Sequence, residues 1–214
     1  VMNLAGGPAM AMGPGAAGGV GSFAIPLLRL GGATPIIATA GSEASEHYLI
    51  EELGVDEGHI LRYPGRSVDD LAGKVRDLTG GRGVASAFDF AGGKMKSLCF
   101  EAIRFDGHVV SVVEERSDFN LDIWSVGGPM FQKSAGYHLV ALSARSRNGA
   151  PNDWAIYRQW IDDWLTLISS GKIPVPPVTV LGALTEENLI AAHDQLESRG
   201  IKGKLALTVE HPID

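Results

Sequence analysis

Residues 15–21 read Gly-Ala-Ala-Gly-Gly-Val-Gly, and this spacing of glycines can bring a polyphosphate against the main chain. A glycine at 18 adopts backbone shapes that side-chained residues resist and lets a pyrophosphate approach closely. Gly21 lets a following helix pack tightly on the strand before it. The start of that helix offers N–H groups without partners and the positive end of the helix dipole. The usual pattern is G-x-G-x-x-G; here the frame ending at Gly21 has Ala16 in place of the first glycine.

Such a turn works only between a strand and a helix. Ala9–Ser22 followed by Phe23–Ala33 reads as a short buried strand, a glycine turn and an apolar helix. Thr34–Thr39 is a second strand, which completes a βαβ unit. Residues 43–53 carry Tyr48, Leu49, Ile50 and Leu53 on one helical stripe, stopped by Gly54. Ile60–Tyr63 is a third strand. Val68, Leu71, Val75 and Leu78 space a helix behind Ser67 as N-cap. Val84–Phe90 and Gly107–Val113 are the fourth and fifth strands, and the helix between them carries Leu98, Cys99, Ala102 and Ile103. The pattern predicts an α/β, Rossmann-type doubly wound, mostly parallel six-stranded sheet with helices on both faces, its sixth strand at 137–144. Residues 114–136 are irregular, and a loop there is expected to be functional. A long helix over 153–170 carries Trp160 and Trp164 in a packing stripe. A C-terminal helix and strand follow, the helix with Leu189, Ala192, His193 and Leu196 on its inner face. The expected division is a dinucleotide-binding domain over 1–182 and an appendage over 183–214.

Gly15–Ser22 resembles the cofactor loop of medium-chain dehydrogenases/reductases, and is most similar to the zinc-independent quinone oxidoreductase branch. Glu52–Asp56, Leu78–Val84, Phe88–Gly93 and the ending Gly203–Val209 agree in order and spacing. The resemblance implies that Ala17, Gly18, Gly19, Val20 and Gly21 hold the pyrophosphate. It puts Phe90, Ala91 and Gly92 beside the nicotinamide ribose, with Val112 and Val113 facing the cofactor at the end of strand five. It also implies a catalytic domain ahead of this cofactor domain, so that the sequence reads as a fragment or as a reduced family member.

The end of strand two decides the cofactor. An NAD enzyme places an acid there for the ribose 2′-hydroxyl, but residues 38–42 read Ala-Thr-Ala-Gly-Ser and the first acid is Glu43. Thr39 and Ser42 therefore meet a 2′-phosphate without repulsion, and Tyr63 matches a tyrosine that lies near that phosphate in relatives. Such relatives often carry a lysine where Ser45 stands, so the cation would come from Arg62 or Arg66. NADP(H) is expected over NAD(H). Arg145 and Arg147 read either as a cation cluster near the cofactor or substrate or as a solvated loop.

No catalytic residue stands out. Asp89 is tempting, but a carboxylate at a strand end more often ties down neighbouring N–H groups. Cys99 on a packed helix reads as inert core. The six histidines show no H-E-x-x-H spacing and the chain has one cysteine, so no zinc is expected. A short-chain dehydrogenase, a P-loop ATPase and a G-x-S-x-G hydrolase all lack their motifs. The formal net charge of −7 argues against a nucleic-acid partner, and no apolar run reaches membrane length. A cytoplasmic setting is the default. The leading function is an NADPH-dependent reductase of a quinone, enone or carbonyl substrate. Its alternatives are a non-catalytic dinucleotide-binding module and, further off, an S-adenosylmethionine methyltransferase. The partners expected are a small-molecule substrate and a second copy across the edge strand 137–144.

Overall fold

The computed structural model describes residues 9–115, 122–123, 125–175, 177–198 and 201–209. Strands β1 (Ala9–Gly13), β2 (Ala33–Ala40), β3 (Ile60–Arg62), β4 (Val84–Asp89), β5 (Ile103–Ser111) and β6 (Gly136–Leu139) form one sheet in the order β3-β2-β1-β4-β5-β6. All five pairings are parallel. The order reverses between β1 and β4, which opens a crevice at the carboxyl ends of those strands.

Helices α1 (Gly21–Leu30), α2 (Glu43–Glu51), α3 (Val68–Leu78) and α4 (Lys94–Ala102) make the crossovers. β2 is buried from Ile36 to Ala40, as a central parallel strand covered on both faces must be. Two apolar clusters result. One joins Met12, Ile37 and Val109 to Leu71, Val75, Leu98 and Phe100; the other joins Ala11, Ile36 and Ala38 to Ile25 and Leu49. α3 starts where expected, in a capping box: Asp70 N–H donates to Ser67 Oγ (3.0 Å) and Ser67 N–H to Asp70 Oδ2 (3.1 Å).

Several boundaries move. α4 ends at Ala102, and Ile103 already opens β5, whose early residues bend through a positive φ of 55° at Asp106. β6 ends at Leu139 instead of running to 144, because Ala144–Asn148 coils into the short helix α6. In the loop expected at 114–136, residues 116–121 and 124 lie outside the described residues, and Pro129–Gln132 is a one-turn helix, α5. Lys133 after it donates to the last carbonyls of α4, Phe100 O (2.9 Å) and Glu101 O (2.8 Å).

α7 (Ala155–Ser169) is the long helix, yet it has no fully buried residue, and Trp160 (43%), Ile161 (57%) and Leu165 (58%) are exposed. The stripe packs less than expected. Its firm contact is Trp164 edge-on to Phe23, with ring centroids 5.0 Å apart. β7 (Val178–Ala183) and β8 (Lys204–Thr208) pair in parallel as a two-stranded sheet, joined by α8 (Glu186–Glu197). The division expected after residue 182 thus falls inside β7. Of the predicted inner face of α8, Ala192 alone is buried; Leu189, His193 and Leu196 are exposed.

Candidate cofactor site

The turn from β1 to α1 sits at the crevice. Its left-handed residue is Gly15, with φ 81°, and not Gly18, whose φ lies outside that region. Gly15 lies against the partner turn after β4: a Cβ on it would stand 3.1 Å from Ala91 Cβ and 3.2 Å from Phe90 O. Gly21 has the closest approach, since a Cβ there would lie 2.2 Å from both Cα and O of Ala16. The tight packing expected of Gly21 is therefore made to the preceding turn. Gly18 O accepts from Ser22 N–H (3.0 Å) and Ser22 Oγ (2.9 Å), and that hydroxyl also lies 2.9 Å from Tyr48 Oη. No side chain caps the start of α1. Among the described residues, no backbone acceptor takes the N–H of Gly19, Val20 or Gly21. Three free N–H groups at a helix start fit a phosphate.

Lys204 of β8 reaches over this turn. Its Nζ lies 2.7 Å from the place a Cβ on Gly19 would occupy and 6.0 Å from the Phe23 ring centroid. It adds a cation beside the Gly19 end of the turn. Sequence reasoning quoted Gly203-Lys204 without giving the lysine a role.

The end of β2 is the second part. Thr39 is buried and its hydroxyl donates to Met95 Sδ (3.8 Å), so its side chain faces the core and not the crevice. Ser42 is the N-cap of α2: its Oγ accepts from Ser45 N–H (3.1 Å) and lies 2.9 Å from Ser45 Oγ. Tyr63 lies across Gly41, where a Cβ would meet its hydroxyl at 2.3 Å. Arg62 Nη1 donates to Glu46 Oε2 (2.6 Å), while Arg62 Nε is buried without a partner among the described residues.

The third part joins the ends of β4 and β5. Asp89 is fully buried and accepts from Ala91 N–H (3.1 Å), Gly92 N–H (2.7 Å) and Ser111 Oγ (2.8 Å). It anchors the turn that presents Phe90, Ala91 and Gly92, as a strand-end carboxylate was expected to do. Behind it Lys96, also buried, donates to Val113 O (3.0 Å) and Glu115 Oε1 (2.9 Å). Glu115 Oε1 accepts in turn from Gly93 N–H (2.8 Å). Burial pushes the Glu115 carboxyl up; the Lys96 hydrogen bond, the Gly93 N–H and the Lys96 charge outweigh it and hold the group below the usual carboxylate range. A Cβ on Gly92, whose φ is 75°, would meet Val113 Cγ1 at 2.8 Å and Glu115 Oε1 at 2.9 Å. The Phe90–Gly92 turn and Val112–Val113 are thus pinned together by Ser111, Lys96 and Glu115, none of which was singled out from the sequence. Cys99 is buried, and burial followed by the Asp89 charge pushes its thiol up, so it is inert core.

Beside Val112 and Val113 a largely apolar cleft of about 1060 Å³ opens between the ends of β5 and β6 and helix α7. Leu139, Leu142, Trp160 and Trp164 line it, and Arg147 of α6 stands on its wall. Arg147 thus borders the cleft; Arg145 contributes its backbone carbonyl to Trp154 Nε1 (3.2 Å).

Among the described residues no group of three or more His, Cys, Asp or Glu side chains is placed to hold a metal ion. No helix among them is long and apolar enough to cross a membrane.

Residues 19–138 match the profile of a family described as zinc-binding dehydrogenase. The chain is 27% identical over 195 residues to a highly reducing polyketide synthase of Aspergillus ruber, which covers 91% of this chain and 8% of that protein. A quinone oxidoreductase of Pseudomonas syringae superposes with a TM-score of 0.69 at 22% identity, over 92% of this chain and 56% of that one. A mycobacterial protein solved in complex with NADPH gives 0.70 at 21% identity, over 94% and 57%. The chain therefore spans about a twelfth of the synthase and little more than half of each solved relative.

Proposed function

The chain belongs to the zinc-binding dehydrogenase family, the cofactor-binding domain of medium-chain dehydrogenases/reductases, and on that premise we propose that it binds NADPH for the reduction of an activated double bond or carbonyl. One observation carries this reading: the free N–H groups of Gly19–Gly21 lie at the topological switch point with Lys204 above them.

Bound NADPH supplies a hydride from its nicotinamide ring. The chain's own residues bind and orient. The β1–α1 turn and Lys204 hold the pyrophosphate. Tyr63, the Ser42 end of α2 and Arg62 receive the 2′-phosphate, which no acid at the end of β2 repels. The Asp89–Ser111–Lys96–Glu115 network fixes the turn and the strand end against which the nicotinamide lies. The cleft beside Val113 offers an apolar wall to a substrate such as an enone, a quinone or an unsaturated acyl group. The highly reducing polyketide synthase relative supports the acyl reading. A second copy is proposed along the outer edge of β6, supported by exposed Leu139 and Val140. A cytoplasmic, reducing setting suits the single buried thiol.

The test is a titration of NADPH and NADH, read by nicotinamide fluorescence, on the wild type and Gly18→Asp. NADPH binding tighter than NADH, with both lost in the variant, is the expected result. Tighter NADH binding overturns the 2′-phosphate reading, and no binding of either overturns the cofactor site.

A further inference from the structure

Two histidines of neighbouring strands bring their ring nitrogens within hydrogen-bond distance of each other. His108 lies on β5 and His138 on β6; the register sets His108 beside Gly136 and Val110 beside His138, so both imidazoles stand on one face of the sheet. His108 Nδ1 and His138 Nε2 are 3.0 Å apart, with the rings inclined by 39°. Gly136 lies beneath them. A Cβ built there would stand 2.5 Å from His108 Nδ1 and 3.1 Å from His138 Nε2. The glycine lets the two imidazoles meet, since a side chain there would displace the His108 ring.

We infer that His108 and His138 form a two-histidine site for a divalent transition cation. A metal held by two imidazole nitrogens at about 2.1 Å, with an octahedral or tetrahedral angle between them, keeps those nitrogens roughly 3.0 to 3.4 Å apart. The pair already has that spacing, and Gly136, with no side chain to part the rings, lets them keep it. The donor set is imidazole, which suits Zn²⁺, Ni²⁺ and Cu²⁺ and not Mg²⁺ or Ca²⁺. In the free neutral pair one ring donates its N–H to the other. On metal binding that ring takes its other tautomer, so both converging nitrogens offer lone pairs and no net proton is lost. Water completes the coordination on the exposed side. The site ties the edge strand β6 to β5, away from the cofactor turn, and is independent of the NADPH reading.

Isothermal titration with ZnCl₂ tests it, on the wild type, His138→Gln, His108→Gln and Gly136→Ala. His138 is exposed, so its variant keeps the fold. The expected result is one equivalent of zinc on the wild type with a rise in melting temperature, unaffected by excess Mg²⁺. Each histidine variant weakens binding by at least the roughly 10- to 100-fold that losing an outer-shell partner costs. Gly136→Ala, which keeps both imidazoles but displaces the His108 ring, weakens it too. No zinc binding to the wild type overturns the assignment. So does unchanged affinity in His138→Gln, which would put the metal on the other histidines.

Discussion

Lys204 Nζ stands 2.7 Å from where a Cβ on Gly19 would be, so β8 closes over a turn that precedes it by most of the chain. Replacing Lys204 by Met removes a cation from the proposed phosphate position and leaves the strand intact. A hydrogen bond to a charged group is worth about 1.5–3 kcal/mol, so NADPH affinity falls about 10- to 100-fold. Fluorescence titration at low salt checks this, and an unchanged affinity would remove Lys204 from the site.

The glycines of the turn are not equivalent. Gly21→Ala drives a methyl into the Ala16 backbone, 2.2 Å away, where nothing flexible can yield. Gly18→Ala meets Gly15 O at 3.3 Å without a left-handed φ. Overpacking costs typically about 1–3 kcal/mol, so urea unfolding should show Gly21→Ala destabilised by about 2 kcal/mol or more and Gly18→Ala by well under 1. Equal losses would refute the geometry.

Much of this was legible in the chain. Alternating apolar strands, helix stripes and the Ser67 cap define the doubly wound sheet, because each is a local pattern. Which glycine turns left-handed was not legible, since residues 15, 18 and 19 all permit it and the choice depends on how the turn packs against Phe90 and Ala91. Lys96, Glu115 and Lys204 escaped notice for a related reason: their partners are distant in sequence, and an isolated lysine or glutamate carries no periodic signal. The direction of the Thr39 side chain was not legible either, since its hydroxyl donates to Met95 Sδ, a partner distant in sequence. The exposed stripe of α7 shows the same limit: periodicity gives the apolar face of a helix but not how fully that face is covered.

Glu115 couples the turn after β4 to pH. Its carboxyl lies below the usual range through Lys96 and Gly93, against the upward push of burial. An acid with a depressed folded pKa stabilises the fold above its unfolded value, near ~4.3, and that contribution is lost as pH falls through the folded value. Wild type should therefore melt above Glu115→Gln at neutral pH, and the gap should close on acidification below about pH 4.5. A gap independent of pH would show that the charge of Glu115 contributes nothing.

Arg62 is shared between Glu46 and the proposed 2′-phosphate. Glu46→Gln releases the guanidinium from a partner 2.6 Å away. A part-exposed ion pair is worth about 0.2–1 kcal/mol, so the ratio of NADPH to NADH affinity rises by up to about fivefold. Arg62→Leu lowers the same ratio. Parallel titrations with both nucleotides read it directly, and two variants that shift both cofactors alike would place the 2′-phosphate elsewhere.

β6 ends the strand order of the sheet, with Leu139, which is 72% exposed, and Val140, which is 51% exposed, at its carboxyl end. An apolar edge of this kind pairs with another strand or aggregates. A second copy of the same edge covers these side chains, and it does so symmetrically. Light scattering at tens of micromolar should therefore give a dimer for the wild type. Leu139→Lys puts like charges at the join, as protected edges do, and should give a folded monomer with an unchanged far-ultraviolet circular dichroism spectrum. A monomeric wild type would leave the edge to a different partner, and a dimeric Leu139→Lys would move the interface off β6.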